Sequence, residues 1–320
     1  MIRNDRGAAW RLVSSPPGAE RLFADRVLLE VHSAYRHVVN LAHKDMLFSL
    51  HPALLAGTPM SLVIDAAGAA MEEAGIQRGM KAEFREGFMF LNGLRMDCRK
   101  RAVWDPKLRD CISCTELGRI VSAIRQVLPG FCDRGGFSDA FVRPGRKRDD
   151  FMSEMLRSRF CAFWERCEAP AALAASLVGM GYGLTPSGDD FLVGLLYVLC
   201  ICGYMEHDTA KEIRSAVRDH LHKTSDLSGQ FLKHACAGEF GETFHALLHA
   251  VCRGEDGIPE IRRIAGTGHS SGVDALNGMA AGWHLLGQMQ KANRRRCRIE
   301  DSSDSHWRKC DQQKRSEGNG

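Results

Sequence analysis

The apolar residues of this chain change their period once, and that change decides the architecture. Through about Trp104-Asp105-Pro106 they come in short alternating runs broken by turn formers; from Leu117 they recur at helical spacing. Strands collected ahead of helices predict an α+β chain, with a small N-terminal β-barrel or sandwich-like domain followed by an all-helical C-terminal domain. Strand candidates are Val31–Leu41, Met46–Leu50, Ser61–Ile64, Lys81–Arg85, Phe88–Leu91 and Leu94–Cys98, with a short helix over Ala66–Ala74. Asn92-Gly93 between two such runs is a hairpin signal, because both residues accept a positive φ. Residues 1–20 contain Pro16-Pro17-Gly18 and no sustained period, so they are expected to be a mobile lead-in. The β-rich domain is then 21–106 and the helical domain 107–290.

In the helical half, Leu117, Ile120, Val121, Ile124 and Leu128 share one face, and Pro129-Gly130 ends that helix. Cys132–Asp150 reads as a loop or hinge. Further helices are expected over Phe151–Cys167, Ala169–Val178, Ala210–Leu221, Leu227–Ala237, Glu242–Cys252 and Ile258–Ile264, with a last one reaching about Gln290. The longest apolar run, Phe191–Met205, is too short to span a membrane and fits a core helix.

Charge bears on partners. The chain carries 43 Lys and Arg against 39 Asp and Glu, but nine of the former and five of the latter fall in 291–320. The excess therefore belongs to a disordered polar tail and the rest is balanced, which argues against a nucleic-acid partner. The twelve cysteines form no disulfide framework. Cys200, Cys202, Cys236 and Cys252 lie in apolar helical patterns and read as small buried hydrophobes, and Cys111-x-x-Cys114 has no second pair to complete a zinc site. No secretory signal is evident at the N-terminus, and a reducing cytoplasm is expected.

The chemistry concentrates in Gly181–Leu195. Gly181 and Gly183 permit tight turns, Thr185 or Ser187 can act as N-cap, and Pro186 suits a first helical position. Ser187 to Asp190 fits a capping box, which ordinary helices use simply to begin. The same loop, feeding a helix N-terminus, can also hold an anion. A second copy follows. Ser187-Gly188-Asp189-Asp190-Phe191-Leu192-Val193-Gly194-Leu195 aligns with Ser271-Gly272-Val273-Asp274-Ala275-Leu276-Asn277-Gly278-Met279. A glycine inside a helix costs roughly 0.5–1 kcal/mol relative to alanine. Two at matched positions predict that the helices approach closely near their N-terminal turns, with both loops at one site. His269 and Ser270 precede the second copy, and Thr224 and Ser225 open a third polar helix entry. In this pairing Asp190 has a counterpart in Asp274, whereas Asp189 faces Val273 in the alignment. Asp189 is therefore the expected chemical residue and Asp190 the expected architectural one.

Gly-Tyr-Gly-Leu-Thr-Pro-Ser-Gly-Asp-Asp, followed by Gly-His-Ser-Ser-Gly-Val-Asp, resembles the AllH-like family of oxamate carbamoyltransferase subunits. His32-Ser33-Ala34-Tyr35, Val39-Asn40-Leu41, Thr224-Ser225 and Gly238-Glu239-Phe240 extend the resemblance from about Val31 to Leu286. The family pattern has Gly-Pro-Gly where this chain has Tyr182. The resemblance implies a multi-subunit enzyme that converts oxalurate and phosphate to oxamate and carbamoyl phosphate in allantoin catabolism, with acyl-CoA-synthetase-like partner subunits. The Ser-Thr-Arg-Thr phosphate loop of aspartate- and ornithine-type carbamoyltransferases is absent. His51-Pro52 echoes their second motif but lies in the β domain.

On this reading Gly181, Gly183, Thr185, Ser187, Gly188, Thr224, Ser225, Gly268, Ser270 and Ser271 bind a small anionic substrate. His269, Asp189, Asp190 and Asp274 are the candidate catalytic residues, with His269 as the proton carrier. Asp189, Asp190 and Asp274 are also a candidate Mg²⁺ set. Two alternatives remain open: a non-catalytic scaffold subunit, and a stand-alone amide hydrolase.

Overall fold

The computed structural model describes residues 10–24, 26–66, 70–143, 150–165 and 169–291. The first part is a barrel. Its strands are β1 (Trp10–Ser15), β2 (Val27–Ala34), β3 (Val39–His43), β4 (Met46–Pro52), β5 (Ser61–Ile64), β6 (Lys81–Arg85), β7 (Phe88–Leu91), β8 (Leu94–Asp97) and β9 (Ala102–Val103), with a one-turn helix α1 (Ala70–Glu73) after β5. They run in the order β5-β4-β3-β2-β6-β7-β8-β1, and β1 returns to β5 to close a ring of eight. The start of β1 lies parallel to β8 and its end parallel to β9. Val31, Leu41, Leu50, Leu62, Ile64, Phe84 and Met96 fill the interior, because alternate residues of each strand point inward. Asn92 and Gly93 have φ of 48° and 79° and join β7 to β8 in the expected hairpin.

One boundary differs from expectation. Residues 10–20 are not a mobile lead-in: they form β1 and the start of a 3₁₀ turn (Pro17–Phe23) with Ala19 and Leu22 buried. Residues 1–9 of that segment, and 292–320 of the expected tail, lie outside the described residues.

The helices are α2 (Cys114–Val127), α3 (Phe151–Glu165), α4 (Pro170–Leu177), α5 (Ser187–Ile201), α6 (Asp208–Asp219), α7 (Asp226–Ala237), α8 (Glu242–Cys252), α9 (Ile258–Ala265) and α10 over 271–291. None among the described residues is long and apolar enough to cross a membrane. The hub is α5, of which twelve of fifteen residues are buried. As the repeat predicts, α5 and α10 touch through their glycines. A methyl group at Gly194 would overlap the carbonyl oxygen of Ala275, and one at Gly278 would overlap that of Phe191. Phe191 and Ala275 are themselves matched positions, so the contact is reciprocal. It continues where Gly282 faces its own counterpart Val198: a methyl added at Gly282 would come within 2.9 Å of Val198 Cβ.

The segment expected to be a loop or hinge has no helix or strand over its described part, 132–143, and this loop packs inward as a plug. Phe137, Ser138, Asp139, Ala140 and Phe141 are buried. The Phe137 amide donates to Asp274 Oδ1 at 2.7 Å, and the Phe141 amide to Asn277 Oδ1 at 3.1 Å. The nine described cysteines are free thiols; Cys236 is buried and Cys200 and Cys202 are partly so, but Cys252 is exposed rather than a buried hydrophobe.

The barrel and the helices share a seam. Leu108 N–H donates to Gly238 O at 3.1 Å and Phe240 N–H to Pro106 O at 2.9 Å. Gly57 is gripped on both sides: its amide donates to Glu242 Oε2 at 2.8 Å and its carbonyl accepts from Glu242 N–H at 2.9 Å.

Candidate functional site

The loop before α5 is wound tightly. Gly181 has φ 122°, and a side chain there would come within 2.6 Å of the Ser187 nitrogen. Pro186 takes the cap position with no side-chain cap bond, so neither Thr185 nor Ser187 caps the helix and no capping box forms. The first-turn amides find main-chain acceptors: Gly188 N–H reaches Met180 O at 2.8 Å, and Asp189 and Asp190 N–H both reach Pro186 O. At the start of α10, Gly272 N–H bonds Thr267 O and Asp274 N–H bonds Ser270 O. The Gly188, Asp189, Asp190, Gly272 and Asp274 amides are therefore already paired. Gly183 and Gly268 are exposed.

The two adjacent aspartates part company because neighbours on a helix point about 100° apart. Asp189 is buried and fully engaged. Its Oδ1 accepts from Gly179 N–H at 2.8 Å, and its Oδ2 accepts from Ser228 Oγ at 2.7 Å and from Thr224 Oγ1. It fastens the α4–α5 loop to the start of α7. Ser225 completes that fastening: its hydroxyl donates to Leu184 O at 2.6 Å and accepts from Ser228 N–H at 3.1 Å. Thr224, Ser225 and Asp189 thus belong to architecture, the reverse of the role expected for Asp189.

Asp190 faces elsewhere. It is half-buried as a residue, yet its Oδ2 is hidden and has no hydrogen-bond partner among the described residues. Burial raises its pKa well above the usual carboxylate range, and the nearby Asp274 charge raises it further; the Ser271 and Thr185 hydroxyls offset part of this. Those two hydroxyls bond each other at 2.9 Å, joining the two loops. Asp274 is fully buried, and burial pushes its pKa up to about 7 against the Phe137 amide and the Ser187 and Ser270 hydroxyls. Gly136 packs on this pair, where a side chain would strike Ser187 Oγ and the Asp274 carboxylate. Asp190 and Asp274 are thus two buried carboxyls, both shifted toward the protonated form, held at a two-loop junction.

Raised carboxyl pKa values carry a sign. The folded state binds the proton more tightly than the unfolded chain, so stability is lost as pH rises from about 4 through about 7. Asp274→Asn mimics the protonated acid and should flatten that loss. Its stability relative to wild type, from urea titrations at several pH values, should improve by a few kcal/mol between about pH 5 and pH 8.

A cavity of about 240 Å³ opens beside Asp190 at the seam. Asp190, Thr185 and Ser271 meet there with Thr58 of the barrel, Glu239 and Thr243; Phe231, Phe240, Phe244 and Val193 make its apolar wall. A larger cavity of about 610 Å³ lies next to it, lined by Lys107, Arg109, Lys233 and His234, and Glu239 and Pro59 border both. His234 Nδ1 bonds Glu239 Oε2 at 2.6 Å.

Of the candidates from sequence, Thr185, Asp190 and Ser271 line the cavity; Ser187, Ser270 and Asp274 support it from behind. His269 is exposed and is not among the residues lining either cavity, and its backbone carbonyl accepts from Arg134 at 3.4 Å. The proposed magnesium set does not assemble: among the described residues no three such groups converge to hold a metal. Sequence reading missed Thr58, Glu239 and Thr243, which come from distant segments. Of the three only Glu239 carries a signal, in Gly238-Glu239-Phe240-Gly241, where glycines bracket an acid and an aromatic residue.

Residues 177–283 match the family model described as oxamate carbamoyltransferase subunit AllH, and residues 13–103 match the AllH family N-terminal domain. No solved structure matches this chain.

Proposed function

As the chain belongs to the AllH family of oxamate carbamoyltransferase subunits, we propose that it houses the carbamoyl-transfer site of a multi-subunit enzyme. That enzyme converts oxalurate and phosphate to oxamate and carbamoyl phosphate in allantoin and purine nitrogen catabolism, together with acyl-CoA-synthetase-like subunits. The observation that carries this reading is Asp190 at a small cavity on the domain seam, with one carboxyl oxygen buried and unpartnered among the described residues and its pKa raised by burial. Phosphorolysis breaks a carbon–nitrogen bond, and the departing amide nitrogen needs a proton. A carboxyl kept neutral by its surroundings supplies one at neutral pH. Thr58, Thr185, Thr243 and Ser271 offer hydroxyls to the ureide carbonyls and amides, and the phenylalanine wall keeps water from intercepting the carbamoyl group. The basic lining of the neighbouring cavity suits phosphate.

The scaffold reading has its own support. Five amides at the paired helix starts, those of Gly188, Asp189, Asp190, Gly272 and Asp274, are already used, and Tyr182 and Leu184 stand out from the loop at 79% and 52% exposure. One experiment separates the readings. In the reconstituted complex, Asp190→Asn should lower kcat by about 100-fold or more, while His269→Ala stays within about twofold of wild type. Full activity in Asp190→Asn would leave the scaffold reading standing. Turnover by this chain alone would instead support a stand-alone amide hydrolase.

A further inference from the structure

One buried histidine has no place in the chemistry so far. His51 sits at the end of β4, 3% exposed, inside the barrel rim. Its Nδ1 lies 3.0 Å from Pro52 O. A carbonyl only accepts, so Nδ1 carries the hydrogen and Nε2 is left as an acceptor. The Ser61 hydroxyl lies 2.7 Å from Nε2 and donates to it. Ser61 Oγ in turn accepts at 2.7 Å from the Thr58 amide and lies 3.0 Å from Thr58 Oγ1. Since the Ser61 proton is committed to His51, Thr58 is the donor in that last contact. Each hydroxyl therefore has one orientation, and the chain runs in one direction: Thr58 to Ser61 to His51.

The outer end of the chain is the cavity. Thr58 is half-buried and lines it together with Asp190. With its hydrogen turned toward Ser61, Thr58 Oγ1 presents lone pairs, and it accepts only a long contact from Met60 N–H at 3.4 Å among the described residues. The geometry points to Thr58–Ser61–His51 as the proton-accepting relay of the carbamoyl-transfer site, opposite the proton-donating Asp190. This assignment rests on the cavity being the reacting site.

The step balances. The phosphate oxygen of hydrogenphosphate bonds to the carbamoyl carbon, and its proton passes to Thr58 Oγ1. The proton of Thr58 moves to Ser61, and that of Ser61 to His51 Nε2. The carbon–nitrogen bond breaks with its electron pair on the oxamate nitrogen, which takes the proton of Asp190. Oxamate and carbamoyl phosphate leave; His51 is then protonated and Asp190 ionised, and one proton returned from the first to the second through solvent restores the site. Burial holds the imidazole below the usual histidine range, which keeps it neutral and able to accept. The Pro52 carbonyl works the other way, as does Glu242, the charged group that acts on His51. Thr58 would be the catalytic residue of the relay, and Ser61 and His51 its positioning residues.

The test uses the reconstituted complex with oxalurate and inorganic phosphate. Thr58→Val should lower kcat about 100-fold, and Thr58→Ser, which keeps the hydroxyl, should recover most of it. His51→Gln keeps an acceptor for Ser61 but no basic nitrogen. It should lower kcat about 10-fold or more and remove the acidic limb of the pH profile, with KM and Tm little changed. If His51→Gln melts like wild type and keeps its rate and its pH profile, the relay is overturned. Should that variant not fold, equal loss in Thr58→Val and Thr58→Ser overturns the relay instead, and recovery by serine supports it. Loss in Asp190→Asn with unchanged Thr58→Val and His51→Gln sinks the relay alone, whereas full activity in Asp190→Asn removes the cavity reading and the relay together.

Discussion

Gly278→Ala should destabilise the protein by about 3 kcal/mol or more. The added carbon would overlap the carbonyl oxygen of Phe191, and its next neighbours are the Phe191 carbonyl carbon and the Leu195 nitrogen. Main chain cannot rotate aside as a side chain can, so the two helices must separate. Gly194→Ala should cost a similar amount against Ala275. Because one separation relieves both overlaps, the double variant should lose clearly less than the sum of the singles. Gly287→Ala is the control: it lies in the same helix with nothing within 4 Å and should gain up to about 1 kcal/mol. Urea denaturation of the four variants measures all of this. A Gly278→Ala protein as stable as wild type would mean that α5 and α10 do not touch in solution.

Asp189→Ala should cost roughly 3–5 kcal/mol for a different reason. Nothing is crowded; three donors lose their common acceptor. Gly179 N–H, Thr224 Oγ1 and Ser228 Oγ all point at one carboxylate in a buried setting. Gly179 is itself locked, with φ 75° and its Cα against the Lys223 carbonyl, so the loop cannot turn its amide to water. Asp189→Asn keeps one acceptor oxygen, and the two hydroxyls can reverse to accept from its amide. It should lose only about 1–2 kcal/mol. Equal losses in the two variants would show that the fastening works through charge rather than through hydrogen-bond count.

The barrel and the helix crossing were legible because each rests on a local pattern. Alternation marked β4 to β8, Asn92-Gly93 marked the hairpin, and the matched glycines could be tolerated in helices only if something lay close. What failed depends on partners far away in sequence. Trp10–Ser15 is an ordinary run until β5, β8 and β9 surround it. Ser-Gly-Asp-Asp places two carboxylates side by side, but which is satisfied depends on Thr224 and Ser228, more than thirty residues on. The repeat pairs Asp190 with Asp274, but it gives no sign that Asp189, which has no counterpart, is taken up by Gly179, Thr224 and Ser228. His269 drew attention through its ring chemistry, whereas exposure is set by how the loop lies. His51 was discounted for lying in the β domain. Only the folded seam shows that His51 is linked to the cavity through Ser61 and Thr58.

The ring of eight strands imposes an order on its own making. β1 leaves the ribosome before every other strand, yet each of its neighbours lies between Ser61 and Val103. Until those segments emerge it has nothing to pair with, so it stays an open, apolar-bearing ribbon during synthesis while β2, β3 and β4 zip to one another as sequential hairpins. The earliest strand is thus the closing stave of the barrel, and the nascent chain must keep it from other partners until β5, β8 and β9 exist.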